Sequence, residues 1–189
     1  MTVTTAGTEV HYTVTWLEMT EPPSYPYPTA PAGRPAALLK AEAPPVWFFL
    51  CLYDAVGRDY AWEDMHEADE DRLAQWLASD RTALYTLMRD GWPHGFFLLD
   101  AGGEDGVVDL SYFGLVPQAV GTGLGRFLLE SAVHTGWDIP GTRKLTVNTC
   151  TLDHPRALGL YQRAGFEPVR QSEHSRVLTR PLDDSRVPK

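Results

Sequence analysis

A glycine-rich stretch is the strongest candidate for binding chemistry in this sequence. Gln118-Ala-Val-Gly121-Thr-Gly123-Leu-Gly125 lies between a strand-like segment and a segment with helical spacing. Free N–H groups and the positive end of a helix dipole make such a junction an anion site. Glycine also lets the backbone approach a phosphate closely. On this stretch alone, a glycine turn without a ligand remains an equally good interpretation.

Two familiar nucleotide motifs do not fit the stretch. A Gly-x-Gly-x-x-Gly fingerprint beginning at Gly121 needs a third glycine where Arg126 stands, and one beginning at Gly123 needs it at Leu128. The Gly-Lys-Ser/Thr of a P-loop is also missing. The identity of the anion therefore has to come from the rest of the chain.

Cysteine and histidine offer no metal or disulfide chemistry. Cys51 and Cys150 are the two cysteines, too few for a disulfide framework or a paired-cysteine zinc site. The six histidines lack the spacing of metal ligands, so we expect no metal. Cys150 has no basic neighbour in sequence, which favours a packed thiol over a nucleophile.

The elements that position these residues follow from hydrophobic periodicity and from glycine and proline breaks. Strands are predicted over Val10–Met19, Thr82–Met88, Trp92–Asp100, Val107–Val116, Leu145–Thr149, Glu167–Arg170 and Ser175–Thr179. Helices are predicted from Pro45 to Val56, over Asp71–Leu77, from the glycine stretch to Gly136, and from Pro155 to Gly165. The pair Asp90-Gly91 predicts a hairpin turn. Early antiparallel strands followed by β-α-β-α-β indicate a mixed α/β protein.

Proline divides the first part of the chain. Eight of the fifteen prolines fall between Pro22 and Pro45, which disfavours a helix or a central strand there. We predict a long extended connection over residues 20–45, pinned to the body by Tyr25 and Tyr27. Residues 1–189 are expected to form a single domain whose last residues, 181–189, fray as a flexible tail.

Composition and charge exclude several classes of protein. With 43% hydrophobic residues and a net charge of -9, the chain is predicted to be globular and to bind neither nucleic acid nor membrane. Its first residues lack a signal peptide pattern, so we expect a soluble cytoplasmic protein. Seven acidic residues crowd between Arg58 and Arg72, either as a solvated surface or as a field that attracts a cation.

Two motifs together resemble the GNAT N-acetyltransferase superfamily. The first is Gln118-x-x-Gly121-x-Gly123 after a strand, and the second is Ala157-Leu-Gly-Leu-Tyr161-Gln-Arg-Ala-Gly165-Phe166 about forty residues later. The likeness covers roughly residues 46–170 and is strongest over 109–166. It implies the GNAT α/β fold, a mixed, mostly antiparallel sheet splayed between its fourth and fifth strands with helices on both faces. It also implies acetyl-CoA (coenzyme A) as the acyl donor.

The resemblance assigns a donor site residue by residue. Pyrophosphate would lie on the backbone N–H groups of Gly121, Thr122, Gly123, Leu124, Gly125 and Arg126, with Gln118 at the position that opens the motif. The pantetheine arm would bond the backbone of Leu115 and Val116 in the splay. Arg126 would add a charged contact, or else remain a solvated helix residue. His154 stands where many members have asparagine. It would contact the donor or cap the helix, and Asn148 would then supply the missing amide.

The resemblance also implies a mechanism. The amine attacks the thioester directly through a tetrahedral intermediate, and Tyr161 matches the tyrosine that protonates the departing thiolate. Asp109 lies on the strand where some members carry a glutamate base, one carbon longer. Without the resemblance, Tyr161 would be a packed aromatic residue and Asp109 an edge or turn aspartate.

The acceptor is the least determined part of the prediction. Aromatic residues from the early elements would line its pocket, although most of them are expected in the core: Trp47, Phe48, Tyr53, Tyr60, Trp62, Trp92 and Phe113. The leading hypothesis is an N-acetyltransferase for a small cationic amine. Alternatives are acetylation of a protein N-terminus or lysine, a coenzyme-A-binding sensor without turnover, and a structural module. A homodimer stays open.

Overall fold

The computed structural model describes residues 3–183 together with residues 185 and 187. The strands are β1 (Val3–Thr4), β2 (Glu9–Met19), β3 (Ala36–Ala41), β4 (Thr82–Arg89), β5 (Trp92–Asp100), β6 (Val107–Leu115), β7 (Lys144–Cys150), β8 (Glu167–Val177) and β9 (Leu182–Asp183). The helices are α1 (Val46–Gly57), α2 (Glu70–Leu77), α3 (Leu124–Trp137) and α4 (Ala157–Arg163). Short 3₁₀ turns occupy Arg58–Tyr60, Asp64–His66 and Pro117–Ala119.

Seven strands form one mixed sheet in the order β3-β4-β5-β6-β7-β2-β8. Neighbouring strands are antiparallel except for β6 and β7, which run parallel. Within the described chain, that parallel pairing joins Val107–Asp109 to Lys144–Thr146 and then ends. The fourth and fifth strands of the sheet therefore diverge beyond Asp109, which confirms the predicted splay.

Helices cover both faces of the sheet. Gly114 lies so close to Val56 of α1 that a Cβ at Gly114 would have no room, so this residue faces α1. Its neighbour Leu115 contacts Gly125 of α3, where a Cβ would lie 3.6 Å from the Leu115 Cδ1. Since successive strand residues face opposite ways, α1 and α3 lie on opposite faces. Tyr161 of α4 packs against Phe113, on the same side of β6 as Leu115.

The first long strand of the chain completes the far side of the sheet. β2 lies between β7 and β8, antiparallel to both. Its buried side chains are Thr15, Leu17 and Met19. They lie on the opposite face of the strand from Tyr12 and Val14. Tyr12 and Val14 instead border a cavity in the splay.

Most predicted elements are confirmed with small shifts at their ends. The hairpin of β4 and β5 turns at Asp90 and Gly91, whose φ angles of 52° and 85° fit the tight turn predicted for this pair. The four predicted helices are all present, and α1 ends at Gly57 as its glycine suggested. α4 begins at Ala157, two residues after the predicted start at Pro155.

Three parts of the sheet differ from the prediction. The connection over 20–45 contains β3, an edge strand that pairs only with β4, so the flanking prolines do not interrupt a ladder on both sides. β8 is one strand rather than two, because its polar middle pairs with β2 along one edge. In the segment 181–189, Leu182–Asp183 pairs with Val3–Thr4, while residues 184, 186, 188 and 189 lie outside the described residues.

The proline-rich connection is pinned as predicted, and its anchor is α3. The Tyr27 hydroxyl donates to the Asp138 carboxylate at 2.6 Å, and its ring stacks on His134. The Tyr25 ring meets the edge of the same histidine, and its hydroxyl donates to the Ala164 carbonyl at the end of α4. Tyr25 thereby links the two helices that flank the splay.

Candidate active site

A cavity of about 510 Å³ opens in the splay between β6 and β7. Its walls come from both faces of the sheet, with α1 and the 58–66 turns on one side and α3 and α4 on the other. A ligand that enters from one face can therefore meet a second ligand that enters from the other.

The glycine stretch forms the α3 end of this cavity. Gly121 and Gly123 have φ angles of 80° and 82°, in the region that disfavours residues with a Cβ. Gly123 is the N-cap of α3 and provides no side-chain cap. The first N–H groups of the 14-residue helix, those of Gly123 to Arg126, thus have no partner within the helix. This arrangement fits an anion.

Side chains of the predicted pyrophosphate residues contribute less than their backbone. Leu124 is fully buried, so it offers only its N–H. The Thr122 hydroxyl donates to the Ala119 carbonyl at 2.6 Å, which fixes the turn before the helix. Gln118 is exposed in the 117–119 turn and does not border the cavity as described.

Three arginines border the cavity, and one of them directly follows the glycine stretch. Arg126 comes from the first turn of α3, Arg163 from the last turn of α4, and Arg156 precedes α4. Arg126 also pairs with Glu130 at 2.6 Å, and this hydrogen bond raises the pKa of the guanidinium. All three are exposed, and they add positive charge to the cavity wall.

The β6 backbone presents one of the two predicted pantetheine residues to the gap. The Val116 N–H donates to the His94 carbonyl at 3.0 Å, and the Val116 carbonyl accepts from the Ala119 N–H. In an antiparallel pair, residues bonded to the partner strand alternate with residues whose polar groups point away. Leu115 therefore directs its N–H and carbonyl toward the gap, whereas Val116 is directed toward β5. The Val116 N–H and carbonyl already have partners, which argues against the predicted pantetheine contact there, and the Phe113 backbone faces the same way as that of Leu115.

Tyr161 lies in the wall between the two faces. It is 6% exposed and packs against Phe113 and Phe166 with ring centroids 5.9 and 6.0 Å apart. Tyr161 borders the cavity, and its hydroxyl makes no hydrogen bond to another described residue. Burial raises the pKa of this phenol well above its usual value, and the negative charges of Asp153 and Asp109 raise it further.

Asp109 stands where the parallel pairing of β6 and β7 ends. Its Oδ1 accepts from the Thr146 hydroxyl at 2.6 Å, and its Oδ2 accepts from the Ser111 hydroxyl at 2.8 Å. Among the described residues that border the cavity, Ser111 is present and Asp109 is not. The Ser111 hydroxyl therefore lies between the Asp109 carboxylate and the cavity.

The loop between β7 and α4 combines a predicted and an unpredicted residue. His154 borders the cavity, and its Nδ1 accepts from the Arg156 N–H at 3.0 Å in the turn before α4, whose N-cap has no side-chain hydrogen bond. Asp153 accepts from the Thr149 hydroxyl, the Cys150 N–H and the Trp62 indole, at 2.8, 2.8 and 3.2 Å. Asp153 thus holds the end of β7 against the opposite wall.

The opposite end of the cavity is aromatic and contains an ion-pair network. Of the predicted acceptor residues, Tyr53, Tyr60, Trp62 and Phe113 border the cavity. Trp47 and Trp92 are 68% and 41% exposed. Neither of these residues is among the described residues of the cavity wall, and Phe48 is not either. Tyr12 and Tyr112 complete the wall, and sequence spacing alone did not mark them.

The acidic run between Arg58 and Arg72 divides into separate roles. Glu63 is buried and lies 3.3 Å from Arg176 and 3.7 Å from Arg180. Asp69 caps α2 by accepting from the Arg72 N–H, and Glu70 and Asp71 follow in the first turn, where acids stabilise a helix. One acid of the run, Asp64, borders the cavity, where it pairs with Arg176 at 3.1 Å.

A family profile decides the affiliation of this fold and site. The profile described as the acetyltransferase (GNAT) family matches residues 18–166. The chain belongs to the GNAT family. The matched segment holds the splay, the glycine stretch and Tyr161, and it begins inside β2.

Solved GNAT structures share the fold at low sequence identity. A tandem GNAT protein from the clavulanic acid biosynthesis pathway aligns with a TM-score of 0.59 at 16% identity, over 91% of this chain and 55% of that one. A GCN5-related N-acetyltransferase from Kribbella flavida gives 0.57 at 19%, over 86% and 56%. An aminoglycoside acetyltransferase from an uncultured soil metagenomic sample, in complex with trehalose, gives 0.55 at 12%, over 68% and 86%. The chain thus spans about half the length of the first two structures. No curated protein matches it.

Two further observations concern features expected to be absent. No helix among the described residues has both the length and the apolar character needed to cross a membrane. In the same part of the chain, no group of three or more His, Cys, Asp or Glu side chains is placed to hold a metal ion.

Sequence reasoning missed several residues of this GNAT site. Arg156 and Arg163 border the cavity, and a helix pattern alone gave them no role beyond solvation. Ser111 and Asp153 depend on a bulge and on a loop, whose geometry a sequence pattern does not encode. A signal that was available is the pair Asp153-His154 before Pro155, typical of a helix start.

Proposed function

We propose that this GNAT protein is an acetyl-CoA-dependent N-acetyltransferase that acetylates a primary amine on a small cationic molecule. The observation that carries the proposal is Tyr161. Its buried, unbonded hydroxyl opens on a cavity that reaches both faces of the sheet. Such a phenol is suited to donate its proton to a leaving group inside the cavity.

The α3 end of the cavity suits the donor. Acetyl-CoA carries a pyrophosphate and a further phosphate, and the unpaired N–H groups of Gly123 to Arg126 can accept the pyrophosphate. Arg156 and Arg163 add cationic partners for the remaining phosphate. The Leu115 backbone is free to bond the pantetheine arm in the manner of an added strand. Gln118, Asn148 and His154 remain proposed donor contacts, of which Asn148 and His154 border the cavity.

The aromatic end of the cavity suits an amine. Tyr12, Tyr60 and Trp62 offer ring faces that attract an ammonium group before it loses its proton. Asp64 adds a carboxylate on the same wall, and its partner Arg176 balances part of that charge. The cavity is therefore cationic where the donor phosphates would lie and aromatic and acidic at the opposite end.

The chemistry requires one acid and one base. A thiol has a pKa of about 8.5 and a phenol one of about 10, so Tyr161 can protonate the departing sulfur while it stays neutral beforehand. Burial raises the Tyr161 pKa further, which keeps the phenol protonated before the reaction. Asp109 is the proposed base for the attacking nitrogen.

Product analysis tests the proposal. Acetyl-CoA should raise the Tm of the wild-type protein, because a ligand that binds the folded state stabilises it. Mass spectrometry should then find acetylated products among small diamines and aminosugars in an amine panel. Acetylation confined to peptides would replace the small-molecule acceptor with a protein substrate. Binding of acetyl-CoA without any acetylated product would contradict the proposal and favour a sensor.

A further inference from the structure

Ser111 occupies an irregular position in β6. Tyr112 pairs with Leu98 and Leu110 pairs with Leu99, so Ser111 is an extra residue between two consecutive pairs. Such a bulge redirects the side chain that it carries. Here the Ser111 side chain borders the cavity, although it lies only two residues from Asp109, which does not border it as described.

The two hydroxyls on Asp109 have different surroundings. Ser111 donates to Oδ2 at 2.8 Å from the cavity wall. Thr146 donates to Oδ1 at 2.6 Å from the paired part of β7, and it is not among the described residues of the cavity wall. A proton that moves from the cavity to this carboxylate therefore has a direct route through Ser111.

We propose that Ser111 is a catalytic residue that passes the proton of the attacking amine to Asp109. This inference rests on the proposed acetyl transfer. Because the Ser111 hydroxyl donates to Asp109, its oxygen lone pairs remain free to accept an N–H from the cavity. As the C–N bond forms, the nitrogen becomes far more acidic, so a carboxylate is a sufficient final acceptor.

The step balances in protons and charge. The amine nitrogen forms its bond to the acyl carbon and gives one proton to the Ser111 Oγ, while the Ser111 proton moves to the Asp109 Oδ2. The C–S bond breaks, and the sulfur takes the proton of Tyr161. Ser111 ends neutral, Asp109 ends as a carboxylic acid and Tyr161 as a phenolate. Return of one proton from Asp109 to Tyr161, directly or through water, restores the site.

Matched variants around one carboxylate test the relay. Ser111→Ala removes the hydroxyl on the cavity side, and Thr146→Val removes the one on the strand side. We expect Ser111→Ala to lower kcat by about a hundredfold or more, the usual size of a general acid–base effect, without changing the affinity for acetyl-CoA measured by calorimetry. Thr146→Val should lower Tm and lower kcat clearly less than Ser111→Ala does, because it removes one hydrogen bond from Asp109 but leaves the hydroxyl on the cavity side in place. Ser111→Thr, which keeps a hydroxyl, should restore kcat.

The double variant gives the decisive comparison. If proton transfer runs through Ser111 to Asp109, Ser111→Ala combined with Asp109→Asn should be no slower than Asp109→Asn alone. Multiplying effects in the double variant, or equal losses of kcat in Ser111→Ala and Thr146→Val, would overturn the relay while the acetyltransferase assignment stands. A wild-type protein that acetylates no amine would overturn the proposed function itself.

Discussion

Tyr161 owes its proposed chemistry to its surroundings. Phe113 and Phe166 pack around the ring and exclude water, which disfavours the phenolate and keeps the proton on the oxygen. Burial alone would equally fit a tyrosine that only packs in the core. Tyr161 also borders the cavity, and its hydroxyl has no hydrogen-bond partner among the described residues, which favours the proposed acid role over simple packing.

Substitution of Tyr161 tests this role. Tyr161→Phe should lower kcat by about a hundredfold or more through loss of the general acid, while the affinity for acetyl-CoA stays unchanged. Steady-state kinetics and calorimetry measure the two quantities. Tyr60→Phe is the matched control, since Tyr60 borders the same cavity and is 7% exposed. Equal kcat in the two variants would remove Tyr161 from the mechanism.

Thiol alkylation tests the surroundings of Cys150. Burial and the nearby Asp153 raise the pKa of the Cys150 thiol from 9.0 to about 11, so its reactive thiolate at pH 8 falls by about a hundredfold. Cys51 is exposed on α1 and serves as the internal control. Iodoacetamide followed by peptide mass spectrometry should modify Cys51 first, and acetyl-CoA should slow Cys150 further, since Cys150 borders the cavity. Faster labelling of Cys150 would contradict the raised pKa and the half-buried position of its thiol.

At the scale of the elements, substitutions at two glycines with similar geometry distinguish an effect on donor binding from an effect on stability. Gly121 and Gly141 have φ angles of 80° and 86°, and a Cβ at either position would meet nothing within 4 Å. Gly121 borders the cavity before α3, whereas Gly141 lies in the turn before β7. Both alanine variants should lose about 1–2 kcal/mol of unfolding free energy through backbone strain.

The affinity for acetyl-CoA should distinguish those two variants. Gly121→Ala should weaken binding, because the added Cβ projects into the open space where the phosphate is proposed to lie. Gly141→Ala should bind like the wild type at a temperature where both variants are folded. Calorimetric titration of the two proteins provides the comparison, and equal affinities would remove the glycine stretch from the donor site.

Local sequence signals were sufficient to predict most helices and strands. Features that depend on contacts between elements could not be predicted from the sequence. Alternation and the Asp90-Gly91 turn were sufficient for the β4–β5 hairpin. β3 was missed because proline-rich flanks mask an edge strand that needs only one partner. The register of β6 decides which of its backbone groups face the gap, and a single sequence does not reveal register. The sequence therefore could not distinguish Leu115 from Val116 as a pantetheine contact. Tyr161 and the glycine stretch were predictable because their motifs are local.

At the scale of the whole molecule, the net charge of -9 conceals a divided cavity. Most of the acidic run serves α2 and the buried Glu63 network rather than a long-range field. Arg126, Arg156 and Arg163 add positive charge to the wall of the same cavity, where the donor phosphates are proposed to bind. The expected attraction for a cationic amine therefore reduces to Asp64 and the aromatic wall.

Neutralising single acidic residues tests whether Asp64, rather than the whole acidic run, attracts the amine. Asp64→Asn should raise KM for a diamine several-fold, because Arg176 loses a partner and repels the cation. Glu67→Gln, an exposed residue of the same run away from the described cavity wall, should leave KM unchanged. If both variants raise KM equally, the acidic run acts as one field after all.

Release of free thiol from acetyl-CoA tests the central claim most directly. The wild-type protein is mixed with acetyl-CoA and a disulfide dye, and amines from the panel are added one at a time. We predict thiol release that depends on a primary amine, equals the acetylated product in amount, and falls by about a hundredfold in Tyr161→Phe. Acetyl-CoA binding with no amine-dependent release of thiol from any member of the panel would contradict it.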